Sequence, residues 1–191
     1  GNDFLQGMLL YTFREGEETE NNSDGGPEQG AGRRAPDPFD FETNNLLAKV
    51  LFTPNERHSL RLIGEVFESD SFSNVESAAS EVVRGVLTTD SIGDDTRERT
   101  RFSLAHSFEG ETALFSRSFA QLYLQDSEGR QLTLQDRLSR GAPQTRTRDS
   151  FFEQEVLGLE LQFDKALTTA GIDHYLVYGF DYELTDSSSL R

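Results

Sequence analysis

The side chains able to do acid–base or metal chemistry near neutral pH are few: three histidines (His58, His106 and His174) and no cysteine. Imidazole changes charge near neutrality and is the commonest metal ligand, but it works with partners: a metal site or a nucleophile–base pair needs several such groups converging. None of the three has a partner at ligand or triad spacing in the sequence, so they read as interfacial or structural polar residues. Without cysteine there is no disulfide framework, thiolate nucleophile or cysteine zinc site. No phosphate-binding glycine loop, nucleophile elbow or HExxH run is present. The expectation is a chain that is not an enzyme, with no catalytic residue, no bound metal and no cofactor.

Charge gives the next bound. With 18 Lys+Arg against 34 Asp+Glu the net charge is -16, which speaks against nucleic acid, whose phosphates need a basic stripe. The carboxylates cluster: Glu15, Glu17, Glu18, Glu20, Asp24, Glu28, Asp37 and Asp40 in one segment, Asp90, Asp94 and Asp95 in another. Such clusters can gather Ca²⁺, whose shell is oxygen, but no EF-hand spacing appears and solvated charge is the preferred reading. A third segment is basic, with Arg130, Arg137, Arg140, Arg146 and Arg148, suited to the acidic segments, to an anionic ligand or simply to water.

These groups must be carried by strands, because period-two alternation is the recurring pattern. Leu5, Gly7, Leu9, Tyr11 and Phe13 share one face; so do Leu46, Ala48, Val50 and Phe52, and Leu60, Leu62, Gly64 and Val66. The same holds for Phe102, Leu104 and Phe108, and for Ala120, Leu122 and Leu124. Leu157, Leu159, Leu161 and Phe163 continue the pattern, followed by Leu176, Tyr178, Phe180, Tyr182 and Leu184. The opposite faces hold Gln, Lys, Arg, Glu, Asp, Ser and small residues. The expectation is all-β: an antiparallel up-and-down meander of about seven strands, each about 10 to 15 residues, longer than the five or six usual in globular sheets. Only Ser77–Val83 is a stretch that could coil into a helix.

The connections alternate in length. Long ones are expected over 15–43, 70–98 and 128–149, short ones at Pro54–Arg57, Glu109–Thr112 and Ala166–Asp173. This alternation gathers all long loops at one end of the sheet, as in outer-membrane barrels, and about 9 to 11 tilted residues cross a bilayer core. No run approaches the roughly 18 to 20 apolar residues of a membrane helix. Gly1-Asn2-Asp3-Phe4-Leu5 lacks the basic and apolar regions of a signal peptide and reads as the inside of a longer chain. His174, Tyr175 and Tyr178, with Phe163 and Phe108, are expected near the short-turn ends, where aromatic residues suit lipid headgroups.

The run Asn45-Leu46-Leu47-Ala48-Lys49-Val50, then Pro54-Asn55-Glu56-Arg57-His58-Ser59-Leu60-Arg61-Leu62 and Gly64-Glu65-Val66-Phe67, resembles a barrel hairpin of TonB-dependent outer-membrane receptors, the haem/haemoglobin group in particular. Arg99-Thr100-Arg101-Phe102-Ser103-Leu104, Ala120 to Asp126, Glu155-Val156-Leu157-Gly158-Leu159 and His174 to Tyr182 resemble the strands that follow. The resemblance implies that residues 1–191 form one partial transmembrane barrel domain of a plugged parent of roughly 22 strands. That parent sits in the outer membrane in contact with its lipid and imports haem or another iron chelate, driven by TonB acting on a plug region. Nothing here matches a plug, a TonB box or the FRAP and NPNL-type motifs of the family's ligand loop, so no ligand-contacting residue is carried over. Ligand binding falls instead to the three long loops on the extracellular side. The competing expectation is a soluble all-β binding module whose acidic loops form an interaction surface. The Leu157–Phe163 face separates the two, since a receptor sets it against lipid and a sandwich buries it under a second sheet.

Overall fold

A computed structural model of the chain describes residues 4–20 and 26–191; Asp24 of the first acidic segment lies outside them. Seven long strands follow one another: β1 (Leu5–Glu17), β2 (Phe39–Asn55), β3 (His58–Asn74), β5 (Val86–Glu109), β6 (Arg117–Ser139), β7 (Ala142–Thr169) and β8 (Ile172–Leu190). A two-residue strand, β4 (Val82–Val83), lies between β3 and β5. All belong to one antiparallel sheet in the order β1-β2-β3-β5-β6-β7-β8, with β4 paired to β5. The all-β up-and-down meander expected from the alternation is the architecture observed.

The strands are longer than their alternation suggests. β5, β6 and β7 have 24, 23 and 28 residues. At about 3.3 Å per residue, β7 runs roughly 90 Å. Much of what reads as loop is therefore strand. β1 continues to Glu17 and β3 to Asn74, and β5 begins at Val86, so Asp90, Asp94 and Asp95 sit in its ladder. Segment 128–149 is not a loop: it is the outer half of the β6–β7 hairpin, paired from Glu128↔Glu153 to Ser139↔Ala142 around an Arg140–Gly141 turn with both φ positive. The physical reason is that hydrophobic alternation needs one dry face. Beyond the carboxylate rows the apolar face thins to Leu132, Leu134 and Leu138 on β6, which meet Asp149, Thr147 and Pro143 on β7, so the period is broken in the sequence while the backbone ladder continues. Ser77–Val83 is likewise not a helix. A single 3₁₀ turn, Glu76–Ala78, precedes β4, which turns at Arg84–Gly85 (φ 52° and 78°) back onto β5.

Among the described residues no large side chain is fully buried. The buried strand residues Ser91 (3% exposed), Ser103 (9%), Ala105 (4%) and Gly158 all lie on the polar face. Along β6, Leu122, Leu124, Asp126 and Glu128 are exposed while Tyr123, Gln125, Ser127 and Gly129 between them are half-buried. The polar face is thus the more shielded one, as in a wall bent toward it. That face is also tightly fitted at one point. Tyr123 lies across Gly158 of the neighbouring strand, where a Cβ would stand 2.0 Å from the ring, and its hydroxyl donates to Glu183 Oε2 of the next strand at 2.6 Å. Only glycine leaves room for a ring to bridge two strands in this way.

Gly158→Val is expected to evict Tyr123 and destabilise the sheet by roughly 1–3 kcal/mol, the usual range for overpacking. Urea unfolding in detergent checks this, and adding Tyr123→Ala is expected to recover part of the loss; no change in midpoint for Gly158→Val would refute the fit.

Candidate functional site

Cross-strand register sorts the apolar residues into rows. Leu5, Phe52, Leu60, His106, Ala120, Leu161 and Phe180 form one; Gly7, Val50, Leu62, Leu104, Leu122, Leu159 and Tyr182 the next. Leu9, Ala48, Gly64, Phe102, Leu124, Leu157 and Leu184 form a third. Each row crosses all seven long strands on the same face. Among the described residues no second layer covers it: Leu62, Phe102, Leu104, Leu122, Leu124 and Phe180 are each 46–55% exposed, and Leu157 is 38% exposed. From Leu176 to Leu184 the apolar zone measures roughly 27 Å along β8, at about 3.4 Å per residue.

Near its short-turn side, one position inside Leu176, a row of rings crosses the zone. His58, Phe108, Phe163 and Tyr178 occupy matching positions on β3, β5, β7 and β8, and the β6 member of that row is Ser118, too small to continue it. Phe115 fills the gap from the 110–116 connection, 5.8 Å from the Phe108 centroid and 5.3 Å from that of Phe163. Tyr178 stacks on Phe163 at 5.3 Å. Local bonds hold Phe115 in place: its N–H donates to Thr112 Oγ1 at 2.9 Å, and that hydroxyl donates to Phe115 O at 2.6 Å. Lys165 Nζ donates to Glu111 Oε2 (2.8 Å) and Thr112 O (2.7 Å), and Tyr178 Oη to Leu114 O (3.0 Å), tying the connection to β7 and β8. Of the aromatic residues expected at this end, Phe108, Phe163 and Tyr178 are in the row. His174 is on the same face nearer the turn, and Tyr175 is on the polar face.

On the long-loop side the zone gives way to carboxylates. Asp126, Glu155 and Asp186 are neighbours across β6, β7 and β8. One row further, Glu68, Glu98, Glu128 and Glu153 stand side by side across β3, β5, β6 and β7. Arg130, on the same face, grips Asp149 in a two-pronged pair (2.9 and 2.7 Å) with its guanidinium over the Phe151 ring, holding the Asp149 carboxyl below the usual carboxylate range. Among the described residues no group of three or more His, Asp or Glu is placed to hold a metal.

Two of the expected long loops are joined. Arg33, only 12% exposed, pairs with Glu76 (2.6 Å) and approaches Asp37 (3.7 Å), while Asp37 accepts from the Ser77 N–H (2.8 Å) and hydroxyl (2.5 Å). Gly30, buried with φ 95°, and Ala79 both donate backbone N–H groups to Glu76 O, at 2.9 and 3.1 Å. A basic residue within an acidic segment thus clips 26–38 to 75–80. Sequence spacing offered no sign of this link, nor of the meeting of His58 and His106. Register brings those rings to a 5.3 Å stack with Nδ1 and Nε2 3.0 Å apart, an imidazole–imidazole hydrogen bond. Of the basic segment, Arg137, Arg146 and Arg148 lie on the polar face, Arg130 on the apolar face and Arg140 at the hairpin tip.

The sequence matches no protein-family model and no curated protein.

Arg33→Met is expected to weaken the clip by about 2 kcal/mol, the scale of hydrogen bonds to charged groups. Amide hydrogen exchange at Gly30 and Ala79 reads this directly, with roughly thirtyfold faster exchange at those sites and none on β6. Unchanged protection would show that backbone bonds alone hold the two segments.

Proposed function

We propose that this chain is a stretch of the wall of an outer-membrane β-barrel, and that its parent is a receptor of the TonB-dependent kind importing haem or another iron chelate. The observation that carries the membrane part is the uncovered apolar zone, continuous across seven strands and closed on one side by a row of rings. Its length along β8, roughly 27 Å, stands roughly 19–22 Å tall at the roughly 35–45° tilt of barrel strands, of the order of the apolar belt of about 25 Å that such barrels present to lipid. Lipid contact gives the exposed leucines the burial that the sheet itself does not, worth about 1.5–3 kcal/mol for each fully buried side chain. Aromatic rings favour the headgroup level, and the aspartate and glutamate rows belong in water.

The orientation follows from the same sorting. The connections at 56–57, 110–116 and 170–171 lie on the aromatic side and would face the periplasm. The clipped 26–38 and 75–80 segments and the long β5–β6–β7 extension would stand outside the cell, where ligand is captured. The receptor part rests on the hairpin residues that resemble that family; plug, TonB contact and ligand-holding loop would come from the rest of the parent.

Because the chain has no cysteine, single-cysteine labels report cleanly on position. Fluorophores at Leu104→Cys and Leu122→Cys, in the protein reconstituted into vesicles, are expected to be quenched severalfold more by brominated lipid than those at Ser103→Cys and Gln125→Cys. A water-soluble chain with no such asymmetry would assign the apolar face to a protein partner and favour a soluble binding module. The receptor part is tested by the flanking coding sequence. A plug-like region upstream and further alternating strands downstream are expected, and stop codons tight against both ends would overturn it.

A further inference from the structure

The strands separate charge as sharply as they separate polarity. In the half of the sheet beyond the apolar zone, Arg14, Arg97, Arg99, Arg101, Arg146 and Arg148 all point to the polar face, joined by Arg137. The opposite face in that half carries the rows of glutamate and aspartate described above, with Arg130 as its strand cation. A chain of net charge -16 therefore presents a basic surface on one side. Pairing within the sheet does not account for it. Across the strands Arg97 faces Ser69 and Gly129, Arg99 faces Phe67 and Ser127, and Arg101 faces Glu65 and Gln125. Like charges at alternate positions of one strand repel, and apart from Asp95 and Glu65 the carboxylates near them point the other way. Glu65 pairs with Arg99 at 3.0 Å; among the described residues Arg97 makes no ion pair.

The basic face also has a recess. Gly129 leaves the space between Arg97 and Phe152 open: a Cβ there would come no nearer to another group than 3.9 Å, at Thr96 O. The resulting cleft, about 790 Å³, has Phe67, Arg97, Arg99, Phe152 and Ser189 in its lining. Arg99 lies over the Phe67 ring at 5.5 Å, which orients its guanidinium, and the Nε atoms of Arg99 and Arg137 are shielded with no acceptor among the described residues. Fixed guanidinium groups beside hydroxyls and rings make a receptor for carboxylate or phosphate oxygens.

We propose that the cleft over Gly129 binds a small polyanion through its carboxylate or phosphate groups, with Arg97 and Arg99 as the direct contacts. The other arginines of that face raise the local anion concentration and guide approach. The inference does not depend on the membrane reading, since the face is basic whatever covers the apolar zone.

Calorimetric titration of the full chain in neutral detergent with citrate, and separately with pyrophosphate, tests it at low and physiological salt. Saturable binding of at least one of the two is expected, weakened by salt. Arg97→Gln and Arg99→Gln are each expected to weaken it at least tenfold. Gly129→Leu keeps every charge and fills the recess, and is expected to weaken it as much. Arg130→Gln, on the opposite face, is expected to stay within twofold, with circular dichroism confirming that all variants keep the sheet. Absence of saturable binding of both anions to the folded wild type would overturn the proposal. So would losses that follow net charge alone, with Arg130→Gln as damaging as Arg97→Gln and Gly129→Leu silent.

Discussion

Backbone hydrogen bonding from each strand to the next carries this fold further than side-chain burial does. The ladder runs without interruption from β1 to β8, with only small register shifts at Phe52/Asn55 and Thr88/Asp90. In a globular domain such a ladder rests on a hydrophobic core, but here no large described side chain is fully buried. Register is consequently the quantity on which everything else depends. A slip of one residue would turn Leu157, Leu159 and Leu161 to the polar face and bring Gln, Glu and Arg into the apolar rows. The turns with positive φ, Arg84–Gly85, Arg140–Gly141 and Ala170–Gly171, fix that register by setting where each hairpin reverses.

Given the register, the three zones of the apolar face follow from solvation. Leucines aligned across strands make a continuous apolar surface, and a row of aromatic rings borders it. Carboxylates aligned at cross-strand spacing repel one another, and are tolerable where water and salt screen them. The row Asp126, Glu155 and Asp186 therefore bounds the apolar zone on one side, as Phe108, Phe115, Phe163 and Tyr178 border it on the other. The polar face obeys different rules: glycine and serine are shielded beneath longer neighbours, a tyrosine crosses over Gly158, and arginines gather around Gly129.

The alternation was legible wherever one face is apolar, and the face assignments for Leu46–Phe52, Leu60–Val66, Ala120–Leu124 and Leu157–Phe163 agree with the observed pairing. It failed beyond the carboxylate rows. Residues 128–149 look like a loop because Leu132, Leu134 and Leu138 on one side of β6 are interrupted by Asp136 and meet Asp149, Thr147 and Pro143 on β7, in a ladder that needs no continuous apolar face to form. The Ser118 gap and its filling by Phe115 were equally hidden, since the two residues belong to different elements and meet only through a folded connection.

Sequence alone determined the fold class and the direction of each face within the apolar zone. Both are local properties, written in side-chain type at a spacing of two residues. Tertiary structure decided which residues stand side by side across strands: the imidazoles of His58 and His106, the glutamates of four adjacent strands, Arg33 with Glu76, and the arginines around Gly129. Those neighbours are set by turn geometry and backbone register over tens of residues, and no short-range pattern of residue types encodes a sum of that kind.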